Sequence, residues 1–232
     1  TVVNRTDIVN SIPADLVVIT ANGTDKATYD GALAYAADLE GKITKINLTE
    51  NFILGGDNII NKNISTTTLF DVQGNSDNGR YIFKAPEVTI NNDKSLWMYF
   101  GTGNTQKLQD QSNKIQNRLF GIKDKDFPNY VNVNPAGTYS NCSSSSCPSS
   151  SHFGWYVNLN KSQKVTAQAT IDKDRVYFPI YEPTSKTNAC KTGKAILTAY
   201  DSKCGNGLLN VHLGSGVLSK VVKQDGNLYI GI

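Results

Sequence analysis

The four cysteines of this 232-residue chain fall into two pairs that are close in sequence. Cys142 and Cys147 bracket a serine run, and Cys190 and Cys204 flank a strand-like segment. Zinc sites favour closely spaced ligands with histidine nearby, and neither histidine of the chain lies in such a pattern. The spacing therefore predicts two disulfides, Cys142–Cys147 and Cys190–Cys204, each closing a short loop. Persistent disulfides indicate an oxidising, extracytoplasmic compartment.

A nucleophile and a base could meet near His152, which follows the serine-rich segment 143–151. However, the chain has no Gly-x-Ser-x-Gly elbow, and a serine run of low complexity is typical of a loop. We therefore interpret His152 and His212 as ordinary strand residues. Glu87 and Glu182 each lie beside proline, which suits a strand edge, and we interpret both as structural. The sequence accordingly predicts a protein that is not an enzyme.

The segment from Leu96 to Asp124 predicts a strand, a glycine turn, a long polar loop and a second strand. Within LWMYF, Trp97 and Tyr99 alternate with three other apolar residues, and we expect a half-buried strand there.

Similar strands recur along the whole chain, in the segments 16–20, 32–39, 42–48, 66–73, 85–90, 96–100, 118–122, 153–159, 164–171, 175–181, 195–200, 210–213, 216–223 and 227–232. Three pairs share one pattern, in which a strand that contains aromatic residues is followed by a strand that ends in Asn or Asp. Repeated units of this kind are typical of β-propeller blades. We therefore predict an all-β chain with a single, irregular β-propeller-like domain over residues 1–232, either incomplete or completed by residues upstream.

Composition and charge exclude two classes of function. The net charge of +3 comes from lysines and arginines that are scattered singly, whereas nucleic-acid binding needs them clustered on one face. No run of about 18 apolar residues occurs, so we predict no membrane-spanning helix. The chain begins TVVNRTD, and we interpret it as the C-terminal part of a larger or processed protein.

The succession of segments resembles the C-terminal β-propeller domain of the PilC/PilY family of type IV pilus-associated adhesins. The matching pieces include, in order, AYAADLEGKITKINL, LWMYFGTGN, NRLFGIKD, RVYFPIYEP and AILTAYDSKCG. Their order over nearly the whole chain carries the resemblance. Ala37 stands where the family usually has Gly, and Thr44 where it often has Trp.

The resemblance implies a non-enzymatic protein of the bacterial cell surface or pilus tip, associated with the outer membrane. Such proteins assist type IV pilus assembly, oppose retraction and help attachment to host surfaces. The implied partners are minor pilins or the pilus machinery, with a host-surface receptor as a further candidate.

The resemblance also implies a calcium loop directly before the AYAAD-type strand. Calcium takes about six to eight oxygen ligands, and the candidates here are Asn22, Thr24, Asp25 and Asp30. Non-ligand residues interrupt the alternation of polar side chains in this loop, so a plain polar turn is the alternative.

Two other functions fit the same architecture. Quinoprotein dehydrogenases resemble it in their blades, but they stack the cofactor on a Trp and commonly link adjacent cysteines. Here Trp97 and Trp155 lie in ordinary strand positions and no two cysteines are adjacent. A carbohydrate- or host-receptor-binding propeller would use exposed aromatic residues, and Tyr130 and Tyr139 are candidate ligand contacts. Alternatively, these tyrosines pin a long loop to the domain.

Overall fold

The computed structural model describes residues 11–20, 31–48, 65–72, 80–91, 94–111, 115–130, 140–141, 147–149, 151–184 and 192–232. Over these ranges the chain forms strands and one short 3-10 turn, Thr105–Lys107, without any α-helix, so the predicted all-β class is confirmed. None of the described segments is a helix long and apolar enough to cross a membrane.

The first sheet is an antiparallel meander whose strands pair in chain order: β1 (Val17–Thr20), β2 (Ala32–Ala37), β3 (Lys42–Asn47) and β4 (Thr66–Asp71). A tight turn joins β2 to β3 as predicted, and Gly41 in it has a φ of +82°. A Cβ on Gly41 would lie 2.1 Å from the Val72 side chain, so both backbone conformation and space require glycine.

The second sheet contains β5 (Glu87–Ile90), β6 (Leu96–Gly101), β7 (Arg118–Asp124), β8 (Ser140–Asn141) and β9 (Gly154–Asn158). Its strand order is β5-β6-β7-β9-β8, in which β8 pairs in parallel and all other pairs are antiparallel.

The third sheet contains β10 (Lys164–Val165), β11 (Thr170–Asp172), β12 (Arg175–Glu182), β13 (Lys194–Asp201) and β14 (Gly207–Ser215). Both β10 and β11 pair with β12, so the single strand predicted over 164–171 is wrong. Residues 166–169 oppose only residues 178 and 179 of β12, and Pro179 has no N–H to donate, which interrupts the ladder. A separate hairpin follows, β15 (Val222–Gln224) and β16 (Asn227–Tyr229).

The second sheet lies between the other two. Leu96, Met98 and Phe100 of β6 belong to a core cluster with residues of the first sheet, whereas Trp97 and Tyr99 belong to a cluster with the third sheet. The expectation of a half-buried strand is therefore wrong, because β6 is buried on both faces. An apolar run without polar alternation is typical of such a strand.

Trp155 of β9 joins the second sheet to the third. Its side chain is fully buried, and its indole N–H donates to the carbonyl oxygen of Ser202 at 2.9 Å. A Cβ added to Gly121 would lie 2.4 Å from the indole, and one added to Gly205 would lie 2.7 Å from it. The indole therefore fits because both neighbours are glycines.

A buried ion pair joins the first sheet to the second. Lys45 Nζ of β3 lies 2.7 Å from Asp124 Oδ2 at the end of β7, and neither side chain has any exposed area. The Tyr35 hydroxyl donates to the same carboxylate oxygen at 2.8 Å, and Lys45 Nζ also donates to the carbonyl oxygen of Asn129 at 2.8 Å. Burial, together with the neighbouring Asp124 carboxylate, raises the pKa of Tyr35 far above its ordinary value.

Removing one partner of this pair should destabilise the protein by about 3–5 kcal/mol, because the remaining charge would stay buried without compensation. We expect this loss for Asp124→Asn and for Lys45→Met, measured as the free energy of unfolding in urea. The double variant should lose much less than the sum of the two single losses. Additive losses would show that the two side chains do not depend on each other.

Gly121→Ala should destabilise the protein by about 3 kcal/mol, because the added methyl group overlaps the indole of Trp155. Gly207→Ala is the matched control, since its Cβ would have no neighbour closer than 3.8 Å, and its effect should stay within about 0.5 kcal/mol. Equal melting temperatures for the two variants would contradict the packing described for Trp155.

Candidate functional site

The predicted calcium ligands Asn22, Thr24, Asp25 and Asp30 all lie outside the described residues, so the calcium site stays a prediction. Among the residues that are described, no group of three or more His, Cys, Asp or Glu side chains is placed to hold a metal ion.

The candidate ligand contact Tyr130 is half-buried and packs against the core cluster between the first two sheets. Its ring centroid lies 6.0 Å from Lys45 Nζ, which extends the buried ion pair towards the loop after β7. This placement supports the interpretation of Tyr130 as an anchor for that loop. Tyr139 lies outside the described residues.

The disulfide connects different partners from those predicted. Cys147 is bonded to Cys204, with the two Cα atoms 4.3 Å apart. Because a cysteine sulfur forms one disulfide, the predicted Cys142–Cys147 and Cys190–Cys204 bonds are both wrong; Cys142 and Cys190 themselves lie outside the described residues. Sequence proximity is misleading here, because the packing of the third sheet on the second brings together cysteines 57 positions apart.

His152, Glu87 and Glu182, which were considered for catalysis, make contacts that stabilise the fold. His152 lies in a turn before β9, not in a strand, and its Nδ1 accepts from the backbone N–H of Ser149 at 2.9 Å. The Ser149 hydroxyl lies 2.7 Å from the same nitrogen, a local contact that closes the exposed turn. Glu87 and Glu182 lie in strands as predicted. They pair with lysines, Glu87 with Lys220 at 3.1 Å and Glu182 with Lys194 at 2.8 Å.

An open pocket of about 310 Å³ lies beside the disulfide, at the boundary of the second and third sheets. We call it the disulfide pocket, and its lining residues are Asn91, Trp97, Lys123, Cys147, Pro148, Lys203 and Cys204. They come from five separate places in the sequence, so no local motif could have revealed the pocket.

Strand pairing positions the first cation of the disulfide pocket. Lys123 of β7 is the cross-strand partner of Trp97 in β6, and its Nζ lies 4.9 Å from the Trp97 ring centroid. The backbone N–H of Lys123 donates to the Phe153 carbonyl oxygen at 2.7 Å. A cation held over an indole face in this way has fewer accessible conformations than a free lysine.

The turn between β13 and β14 positions the second cation. Asp201 Oδ1 accepts the backbone N–H groups of Lys203 and Cys204, at 2.9 and 2.7 Å. The turn is therefore fixed at both the carboxylate and the disulfide. Among the described residues, the lining of the disulfide pocket contains two lysines and no acidic side chain, so this lining can accept an anionic group.

A smaller pocket of about 190 Å³ is lined by the buried Lys164, whose ammonium group already has its hydrogen-bond acceptors within the protein. Lys164 Nζ donates to the backbone carbonyl oxygens of Leu108, Asp110 and Ser162, at 3.0, 2.6 and 3.2 Å. Burial lowers the pKa of this lysine. Lys164 therefore ties loops together, and the disulfide pocket is the better candidate for binding.

A Cys142→Ser/Cys190→Ser double variant separates the observed pairing from the predicted one. The Cys147–Cys204 bond should still form, so a thiol titration of the unfolded variant should find no free thiol. Two free thiols in each molecule would contradict the structure. Cys147→Ser/Cys204→Ser should lower the free energy of unfolding by about 2–4 kcal/mol, because the bond constrains a long loop of the unfolded chain.

No protein-family model matches this sequence, and no curated protein matches it.

Proposed function

We propose that the chain forms part of a β-propeller of the PilC/PilY type and acts as a non-enzymatic, pilus-associated protein. Its roles would be type IV pilus assembly, control of retraction and surface adhesion. The observation that carries this proposal is that three successive sheets pack face to face in chain order, with β6 buried on both sides. Neighbouring propeller blades pack in the same way.

The strand order within the sheets supports the interpretation of blades. The first sheet is a meander of four strands, and β12, β13 and β14 continue the same pattern in the third. The hairpin β15–β16 would begin a further blade. The parallel strand β8 and the division between β10 and β11 depart from a regular blade and account for the irregular spacing in the sequence.

Location outside the cytoplasm is supported by the Cys147–Cys204 disulfide, because reducing compartments do not preserve such bonds. A protein with the proposed function would lie at the bacterial cell surface or the pilus tip, where it would bind minor pilins.

Of the two alternative functions, the structure favours a binding propeller over a quinoprotein enzyme. A quinoprotein enzyme would need an indole face for its cofactor, whereas Trp97 and Trp155 are only 3% and 0% exposed. A propeller that binds a carbohydrate or a host receptor is favoured by the disulfide pocket, whose two lysines face an open cavity.

Immobilised full chain should retain one or more minor pilins from the bacterium that encodes it. The Gly121→Ala variant tests whether retention needs the folded stack, and Gly207→Ala is its control. Retention by the wild type and Gly207→Ala, with loss in Gly121→Ala, is the expected result. If no minor pilin is retained although the chain is folded by circular dichroism, the pilus function is contradicted and the receptor-binding alternative takes its place.

A further inference from the structure

We infer that the disulfide pocket binds an acidic saccharide, with Lys123 and Lys203 holding its carboxylate. This inference goes beyond the pilus function and does not require it.

Lys123 is prepared for an anion by its position over Trp97. The indole is only 3% exposed, so it offers little face to a sugar ring and acts as a positioning residue. The lysine Nζ, 4.9 Å from the ring centroid, lies at the pocket wall. An ammonium group held in place loses less conformational entropy when it binds a ligand.

Lys203 can exchange its present ion-pair partner for an anionic ligand at a low cost in free energy. Its Nζ lies 3.3 Å from Asp174 Oδ1, but the two side chains are 57% and 72% exposed. An ion pair with this much water around it contributes little. The backbone beneath Lys203 is fixed by Asp201 and by the neighbouring disulfide, so its side chain extends towards the pocket from a fixed point.

The size and lining of the pocket select the rest of the ligand. A volume of about 310 Å³ fits a small molecule of one or two rings and excludes a folded protein domain. Among the lining residues, Pro148 and the disulfide-bonded cysteines are apolar and suit the C–H face of a sugar, and Asn91 is an amide residue that suits its hydroxyl groups. A nucleic acid would instead need a continuous track of cations.

The test is a titration of the full chain with sialyllactose and with lactose, its uncharged counterpart, followed by NMR or calorimetry. A glucuronate disaccharide and a sulfated disaccharide distinguish a carboxylate from other anions. We expect binding of the two carboxylated sugars, binding that weakens as salt rises, and none for lactose. Lys123→Gln and Lys203→Gln should each weaken the affinity about tenfold, because each removes a charge-assisted hydrogen bond.

Lys161→Gln is the matched control, since Lys161 is an exposed lysine that does not line the pocket. This variant should bind the carboxylated sugars with the affinity of the wild type. Melting temperatures verify that all three variants are folded. The inference would be overturned if lactose bound as tightly as sialyllactose, or if the sulfated sugar bound more tightly than the carboxylated ones. It would also be overturned if no sugar bound at millimolar concentration, or if Lys161→Gln weakened binding as much as the two pocket variants. If minor pilins are retained while acidic sugars fail to bind, this inference falls and the proposed function stands.

Discussion

Lys45 and Asp124 meet where water does not reach, and the arrangement of the first two sheets depends on this contact. The Asp124 carboxylate accepts from Lys45, from the Tyr35 hydroxyl and from the backbone N–H of Asp126, so its charge is satisfied from three directions. Burying two charges is costly unless their geometry is maintained. Strands β2 and β3 and the end of β7 must therefore be in place together, which fixes the first sheet against the second.

The second and third sheets are joined by the packing of Trp155 and by a covalent bond. Trp155 lies between Gly121 and Gly205, and the Cys147–Cys204 bond links a loop near β9 to the turn after β13. The disulfide pocket lies at this junction. Lys123 lies in the second sheet and Lys203 in a turn that joins two strands of the third, so the shape of the pocket depends on how those sheets pack. The residues that stabilise the fold therefore also position the proposed binding site.

Local sequence patterns predicted most of the strands because turns and apolar runs are local signals, but the strand predicted over 216–223 is wrong, since only its end lies in a strand, Val222–Gln224. Segment 175–181 corresponds to Arg175–Glu182, and the short prediction 210–213 lies within the longer strand Gly207–Ser215. The cysteine pairing and the disulfide pocket depend on contacts between distant residues, which one sequence does not encode locally. The strand alternation in KITKIN does indicate that Lys45 is buried, because it places Lys45 on the same inward face as Ile43 and Asn47.

If the three sheets form one cooperative stack, hydrogen exchange measured by mass spectrometry should show them unfolding together. We expect the amides of β3, β6 and β12 to share one highest level of protection, equal to the global free energy of unfolding. Asp124→Asn should lower protection in all three strands together. Loss confined to β3, with β12 unchanged, would show that the sheets unfold independently and do not form one stack.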